Sequence, residues 1–225
     1  QFACYDSPML KREVCGGDFE AEFQRVLHWS EETDTAIEER AAAIQADVVS
    51  AATLRLLPYL QRAQSPHPLA ADALKQLQGF AGLMNAEDAA PLIFNAWVRQ
   101  LTWGVFADDV GPELFERALG QRSFRDALEQ VLEHDDTNWC DDINTPPVES
   151  CATQVNAAFT RALVELQAAQ GPDVAQWRWG RAHIARAEHR PFSRVKALAP
   201  GFELRTPVSG DTFTVNVSRV SLRPD

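Results

Sequence analysis

The chain has 225 residues, enough for one large domain or two small ones, and its 45% hydrophobic and 24% charged residues are typical of a globular protein. Its 21 Lys and Arg against 32 Asp and Glu give a net charge of −11, which repels phosphate backbones and argues against nucleic acid as a partner. No apolar run approaches the roughly 20 residues that a membrane-spanning helix needs, so we expect no membrane span.

The first part of the chain predicts an irregular segment followed by two helices. Residues 1–17 contain Ser-Pro and Gly-Gly breaks, and a start at Gln1 without a leader is expected of a mature or excised segment. A short helix is predicted over 19–28. Apolar residues then recur at three- and four-residue steps from 34 to 63, which predicts the longest helix, with Pro58 expected to kink or shorten it.

The middle of the chain predicts further helices. A Ser-Pro-His-Pro break at 65–68 precedes a short helix over 69–78. The strongly apolar stretch 86–106 predicts a buried helix. Two shorter amphipathic helices are predicted near 112–119 and 123–133.

The last third adds one long helix and the only β signal. A polar, acidic and irregular segment spans 134–147, and an apolar helix follows over 148–170. A glycine-proline pair at 171–172 stops this helix before a turn that contains two tryptophans and a histidine. Strands are predicted over 202–204 and, from the alternation of polar and apolar residues, over 212–217.

Together these elements predict a mainly α fold with a small β segment near the C-terminus. Three regions follow along the chain: a cysteine-bounded loop and short helix over 1–33, a helical region over 34–200, and a β segment over 201–225. A free-standing fold with one hairpin so late would be unusual. We therefore expect the last region to join a larger sheet whose other strands lie elsewhere.

The four cysteines form two pairs with the same spacing, Cys4 with Cys15 and Cys140 with Cys151. Neither pair is CxxC and no histidine lies at zinc-finger spacing, so local disulfides fit better than a zinc site. Each would close a loop of about 12 residues and stabilise the fold by roughly 3 kcal/mol. Disulfides would imply an oxidising compartment, the periplasm or the outside of the cell. The alternative is four buried free thiols.

Two groups of residues offer chemistry, each with a simpler explanation. His183 follows Trp179 by four residues, so the two share a face if this stretch is helical. His183 could then act as a general base, or the two rings could simply pack together. Packing is favoured, because no Ser or Cys nucleophile can be paired with His183 from sequence. The carboxylates of 133–142 offer ligands for calcium but lack the pattern of an EF-hand loop, so a solvated acidic loop is favoured.

Five stretches, taken in order, resemble one known family. They include a glutamine–aspartate–serine pattern, a Trp-x-Trp-Gly-x-x-His turn and Gly-Asp-x-x-Thr-Val-Asn. The stretches are Ile44–Ser50, Leu56–Leu60, Ala89–Trp97, Trp177–His183 and Gly210–Asn216. Together they resemble the penicillin acylase (penicillin amidase) family over roughly 34–217, whereas 1–33 matches poorly. These are periplasmic or secreted N-terminal-nucleophile hydrolases that cleave amides, including β-lactam side chains and acyl-homoserine lactones.

The resemblance implies that the catalytic residues are not on this chain. In the family the precursor cuts itself to expose a serine at the start of the β-chain, and the α-amino group of that serine acts as base. The serine and its oxyanion hole are expected to precede the matched part, so no catalytic, cofactor-binding or metal residue is carried over. The family's structural calcium is expected elsewhere. Cys140 and Cys151 resemble a cysteine pair of some Gram-negative members.

The resemblance therefore implies a portion of the C-terminal half of a β-chain, incomplete as a catalyst. Its partners would be the remainder of the acylase polypeptide or its α-chain, with a small acyl-amide substrate, in the periplasm or outside the cell. One alternative is a self-contained secreted helical module that binds a partner through its acidic surface. Another is an acyl-binding helical domain with Trp97 and Trp103 lining a pocket, although tryptophans are more often core residues.

Overall fold

The computed structural model describes residues 34–118 and 123–216. The chain divides into two compact units, Gln1–Asp47 and Val48–Asp225. In the first unit the described residues form helix α1, Asp34–Gln45. In the second unit the described α-helices and β-strands are, in chain order, α2 Thr53–Gln61, α3 Ala70–Gln76, α4 Ala90–Val110, α5 Pro112–Ala118, α6 Ser123–Glu133, α7 Thr137–Cys140, α8 Cys151–Gln170, α9 Trp179–Ala182, β1 Ile184–Ala187, α10 Ala199–Phe202 and β2 Leu204–Pro207, with short 3-10 helices at Val174–Gln176 and Phe192–Arg194.

The longest predicted helix, over 34–63, is instead two helices with a non-helical segment between them, so that prediction is wrong. Val48–Ser50 pairs with Gly82–Met84 through an isolated antiparallel bridge. The amide of Ser50 donates to the carbonyl oxygen of Gly82 at 2.8 Å. Adjacent β-branched valines favour this extended backbone, and the pairing ends the helical register before α2 begins.

Helix α4 is the centre of the second unit. Residues 90–98 are buried on every side, and α2, α3, α5, α6, α7, α8 and α9 all contact this helix. Ile93, Phe94 and Leu101 are fully buried, and each such side chain contributes roughly 1.5–3 kcal/mol of stability. The predicted buried helix over 86–106 is confirmed, although it begins and ends four residues later. Neither α4 nor any other described helix is long and apolar enough to cross a membrane.

Helix α8 begins and ends where its local sequence dictates. The Ser150 hydroxyl accepts a hydrogen bond from the Thr153 amide at 3.2 Å, which satisfies one of the free amides of the first turn. Gly171, with φ of +93°, ends the helix. Along its length α8 packs on α4, and the Arg99–Glu165 ion pair joins the two helices at the surface.

The β segment is a two-stranded antiparallel ribbon. Strand β1 pairs with β2 so that Ile184 lies opposite Pro207 and Ala187 opposite Leu204. The strand predicted at 202–204 is confirmed only at its last residue, and 212–216 forms turns and bends, so the predicted strand there is wrong over the described residues. In the part of the chain that the structure describes, β1 and β2 pair only with each other. The mainly α fold with a small late β segment is as predicted, and the larger sheet stays a prediction.

Candidate functional site

The turn Trp177–His183 is anchored through both of its indoles. Trp177 Nε1 donates to the carbonyl oxygen of Gly171 at 2.9 Å, and Trp179 Nε1 donates to that of Gly210 at 3.1 Å. Both tryptophans are buried. The turn is therefore fixed to the end of α8 on one side and to the segment after β2 on the other.

His183 is a packing residue of this turn. It is buried and stacks on Trp179, with ring centroids 4.6 Å apart. Its Nδ1 lies 3.0 Å from the carbonyl oxygen of Val208, which can only accept, so Nδ1 carries the proton and donates it. This geometry agrees with the packing interpretation, because the ring is committed to a backbone contact and shielded from solvent.

The turn Gly210–Asn216 is closed by its own side chains. Gly210 has φ of +90°, and a Cβ atom there would lie 2.6 Å from the Asn216 carbonyl oxygen and 3.0 Å from Thr214 Oγ1. Asp211 Oδ1 accepts from the Phe213 amide at 2.7 Å, and Thr214 Oγ1 accepts from the Asp211 amide at 3.0 Å. Such local bonds compete with strand pairing, which explains why the predicted strand is a turn. Asn216 is left exposed at its end.

A central segment, residues 82–88, joins these turns to the helical core. The Gly210 amide donates to the Met84 carbonyl oxygen at 2.7 Å, and the Gly180 amide donates to the Ala86 carbonyl oxygen at 2.7 Å. The same segment forms the antiparallel bridge to the residues before α2. Three of the stretches that carry the family resemblance therefore meet at the central segment.

Two opposite charges are buried beside this junction. Arg125 of α6 is 6% exposed, and its guanidinium lies 5.2 Å from the ring centroid of Phe94 and 4.9 Å from that of Phe213. Burial lowers the pKa of Arg125, against the opposing effect of the Asp211 and Glu129 charges. Burial raises the pKa of Asp211, and the Phe213 amide and the Arg125 charge offset part of that rise.

Glu129 continues this charge network one turn further along α6. It is buried, and its Oε2 accepts from Arg55 Nη1 of α2 at 3.1 Å. Burial is the largest influence and raises the pKa of Glu129, while the hydrogen bond and charge of Arg55 lower it. The pair ties α6 to α2 and keeps a second carboxylate close to Arg125.

The polar cluster, defined here as Ser50, Thr53, Arg125 and Asp211, is incompletely satisfied. Ser50 Oγ, Thr53 Oγ1, Arg125 Nη1 and Asp211 Oδ2 are buried without a hydrogen-bond partner. The Ser50 hydroxyl lowers the pKa of Asp211, yet the two groups do not meet with the length and angles of an ordinary hydrogen bond. Each unmet group costs about 1–3 kcal/mol. Because all four side chains are buried, the cluster does not expose a nucleophile to a substrate.

Trp97 and Trp103 do not line a common pocket. Trp97 is fully buried and its Nε1 donates to the Val155 carbonyl oxygen at 3.3 Å, so it is a core residue. Trp103 is 54% exposed, and the guanidinium carbon of Arg161 lies over its ring, 5.5 Å from the ring centroid. A cavity of about 470 Å³ lies elsewhere, beside α6 and α7. Its apolar lining comprises Phe106, Val110, Phe124, Ala127, Val131 and Trp139.

One of the two predicted disulfides is present. Cys140 and Cys151 are bonded, with their Cα atoms 4.9 Å apart, and the bond joins α7 to the first residue of α8. The alternative of free thiols is therefore wrong for this pair. Cys4 and Cys15 lie outside the described residues, so their pairing stays a prediction.

The acidic loop that precedes α8 binds its own backbone. Asp141 Oδ1 accepts from the Glu149 amide at 3.0 Å, and Glu149 Oε2 accepts from the Asp142 amide at 3.0 Å. The hydroxyl of Thr145 is the largest influence that holds the pKa of Glu149 below its usual value. Over 34–118 and 123–216, no group of three or more His, Cys, Asp or Glu is placed to bind a metal.

The sequence pattern of the family described as penicillin amidase matches residues 21–224. The chain belongs to the penicillin amidase family. The match begins before residue 34, where the resemblance was expected to start, so the penicillin amidase pattern includes part of the region that was considered poorly matched.

The curated relatives of this penicillin amidase family chain are much longer than the chain itself. Acyl-homoserine lactone acylase QuiP of Pseudomonas syringae pv. syringae is 27% identical over an alignment of 157 residues, which covers 66% of this chain and 19% of that protein. The protein of the same name from Pseudomonas putida is 28% identical over 119 residues, 51% of this chain and 15% of that protein. The one from Pseudomonas aeruginosa is 25% identical over 134 residues, 56% and 15% of the two chains.

Sequence reasoning missed Arg125, the one basic member of the polar cluster. A signal for it exists, because Arg125, Leu128 and Leu132 recur at three- and four-residue steps and share the buried face of α6. A charged residue on that face predicts a buried partner. The partner, Asp211, lies in a different motif of the penicillin amidase pattern, and no spacing rule connects the two.

Proposed function

We propose that this chain is part of an acylase-type amidohydrolase that cleaves a linear amide, such as a β-lactam side chain or an acyl-homoserine lactone, and that it is not catalytically complete alone. The penicillin amidase match over residues 21–224 is the observation that carries the proposal. The names of the relatives, acyl-homoserine lactone acylases, support the substrate class. The remainder of the acylase polypeptide, or its α-chain, would supply the nucleophile and would be the partner of this chain.

Within that enzyme the described residues would have a supporting role. The polar cluster and the central segment fix the turn Gly210–Asn216 against α4 and α6. Ser50 and Asp211 are shielded from solvent, so neither is available to attack a substrate carbonyl. The chain would therefore contribute core packing and the position of this turn, with the bond-breaking groups supplied by the partner.

The Cys140–Cys151 disulfide supports a periplasmic or secreted location, since such bonds persist in oxidising compartments. A cytosolic protein of this type would keep the two thiols reduced. For cofactors we retain the expectation from the resemblance: none in this chain, with the family's structural calcium held elsewhere.

The test compares the purified chain with the complete product of its gene. Both are assayed with a phenylacetyl amide and with a long-chain acyl-homoserine lactone, and the released amine is measured. We expect turnover by the complete product and none by the 225-residue chain. Hydrolysis of either substrate by this chain alone would overturn the proposal.

A second candidate is a self-contained secreted helical module that binds a partner through its acidic surface. The net charge of −11 favours it. A cooperative thermal transition of the isolated chain, without binding of a dye specific for exposed apolar surface, would support this alternative. The ribbon of β1 and β2 argues against it, because all of its strand residues are exposed.

A further inference from the structure

Residues 184–207 form an arm that has no interior of its own. It contains β1, β2 and α10, and none of its residues is buried. The arm is attached at its base, where the Val208 amide donates to the His183 carbonyl oxygen at 3.1 Å. An isolated two-stranded ribbon is at best marginally stable in water, so an arm of this kind needs a surface that covers it.

The arm also exposes several large apolar side chains along a short length of chain. Phe192 and Phe202 pack on each other with ring centroids 4.7 Å apart, and His189 stacks on Phe192 at 5.3 Å, yet both phenylalanines stay more than 40% exposed. Clustered exposed apolar groups mark interaction surfaces. The exposed set is Ile184, Phe192, Val195, Leu198, Phe202 and Leu204, at 41–68%.

The charge of the arm is opposite to that of the chain. Five Arg or Lys and two Glu give the arm +3, whereas the whole chain carries −11. Near the strands the charges are internally paired: the Glu203 carboxylate accepts from Arg186 at 2.7 and 2.9 Å and from Arg205 at 3.3 Å. The arm therefore fixes one carboxylate between two guanidinium groups and leaves its excess charge at the other end.

That excess lies at the tip, which we define as residues 190–198. No carboxylate of the described part of the chain lies within ion-pair distance of Arg190, Arg194 or Lys196, and all three side chains are exposed. Three exposed apolar side chains, Phe192, Val195 and Leu198, lie among them. An apolar centre with a charged rim is the composition of a protein–protein contact.

We propose that the arm docks through its tip on an acidic, apolar-centred surface of the polypeptide that completes the acylase. This inference rests on the proposed function and names the contact by which the two parts associate. Charge complementarity selects the partner, because exposed cations without carboxylate partners gain most from an acidic protein surface. An anionic membrane is disfavoured, since the chain outside the arm is strongly acidic and is repelled by such a surface.

The test is amide hydrogen exchange in the complete gene product and in the 225-residue chain, followed by mass spectrometry of peptides from the arm. Docking protects amides that are otherwise open to solvent. We expect amides of residues 184–207 to exchange at least about tenfold more slowly in the complete product. Peptides from the first half of α4, residues 90–98, which are buried within this chain, provide the internal reference.

A matched pair of variants then tests the charge argument. In the complete product, R190E/R194E/K196E is expected to return the arm to the fast exchange of the isolated chain. The control, R62E/K75E/R117E, makes the same change in net charge at exposed positions outside the arm, and is expected to leave the protection intact. Loss of protection in both variants would show an effect of net charge alone and would overturn the proposal.

Other binding partners of the arm would give different patterns of hydrogen exchange. Equal exchange rates in the complete product and the isolated chain would overturn the proposal. Protection that grows with the concentration of the isolated chain would identify a second copy, and protection only by phosphatidylglycerol vesicles would identify a lipid surface. Amide hydrolysis, measured on the same samples, separates the two hypotheses: turnover with an unprotected arm refutes docking alone, and a protected arm without turnover refutes the proposed activity alone.

Discussion

Replacing Gly210 with alanine is expected to destabilise the protein more than the same change at Gly79. Both glycines have positive φ, +90° and +74°, where an L residue costs roughly 1–2 kcal/mol. At Gly79 an added Cβ would meet nothing within 4 Å, whereas at Gly210 it would lie 2.6 Å from the carbonyl oxygen of Asn216. The difference between the two variants therefore isolates the steric contact from the backbone strain.

Relief of that contact must displace the turn Gly210–Asn216. The movement weakens the bond from Trp179 Nε1 to the Gly210 carbonyl oxygen and the bond from the Gly210 amide to Met84, at 3.1 and 2.7 Å. Each bond contributes about 0.5–1.5 kcal/mol. Together with the backbone term, the expected loss is about 2–5 kcal/mol for Gly210→Ala, against about 1–2 kcal/mol for Gly79→Ala.

Urea unfolding followed by circular dichroism at the helix band gives both free energies of unfolding. Tryptophan emission provides a local signal, because the Trp179 indole is bonded to the altered residue. We expect the emission of Gly210→Ala to change in the folded state and that of Gly79→Ala to stay as in the wild type. Equal losses of stability in the two variants would refute the reasoning, since they would show that the added methyl group meets no resistance in the turn.

Three further changes test the disulfide and the buried charges. Replacing both Cys140 and Cys151 with serine is expected to lower the free energy of unfolding by about 3 kcal/mol. An unchanged urea midpoint would contradict this. Burial raises the pKa of Asp211, so the folded state binds that proton more tightly than the unfolded state and the contribution of Asp211 to stability falls as pH rises through its folded pKa. Asp211→Asn is therefore expected to gain stability relative to wild type as pH rises above about 4; a constant difference in urea midpoint would count against it. Arg125→Met removes a charge that opposes the rise in the pKa of Asp211, together with the contacts of the guanidinium with the Phe94 and Phe213 rings, and is expected to cost about 2 kcal/mol. The double variant with Asp211→Asn should cost less than the sum of the single changes, and additive losses would show that the two groups do not interact.

The long helices α4 and α8 were predictable because local composition fixes them. The apolar run at 86–106 and the Ser150 and Gly171 boundaries of α8 act within a few residues of the elements they define. Pro58 illustrates the limit of such rules: it lies inside α2 without ending it. Packing of α2 on α4 and α8 outweighs the local preference of that proline.

The errors came from interactions between residues distant in sequence or from side chains that replace backbone pairing. Helical periodicity over 34–63 could not reveal that Val48–Ser50 pairs with Gly82–Met84. Alternation over 212–217 resembled a strand, but the hydroxyl of Thr214 and the carboxylate of Asp211 close a turn there.

The candidate site was predicted only in part, for a similar reason. The motif around His183 was recognised, and the stacking of His183 on Trp179 agrees with the packing interpretation, which was favoured from the lack of a paired nucleophile. Arg125 was not recognised, because its importance depends on Asp211, which the fold brings close through α6 and the last turn. Membership of the penicillin amidase family is shown by the match over residues 21–224, whereas no local property of the chain reveals the substrate.

The central segment 82–88 affects the order in which a growing chain can acquire its structure. Helices α2, α3 and α4 have all left the ribosome well before Gly180 and Gly210, which are hydrogen-bonded to Ala86 and Met84. Until those late residues emerge, these two carbonyl groups must be hydrated, and the segment stays open to chaperones and proteases. A substitution that slows closure at Gly210 would thus reduce the yield of protein in the cell even where the finished fold tolerates it.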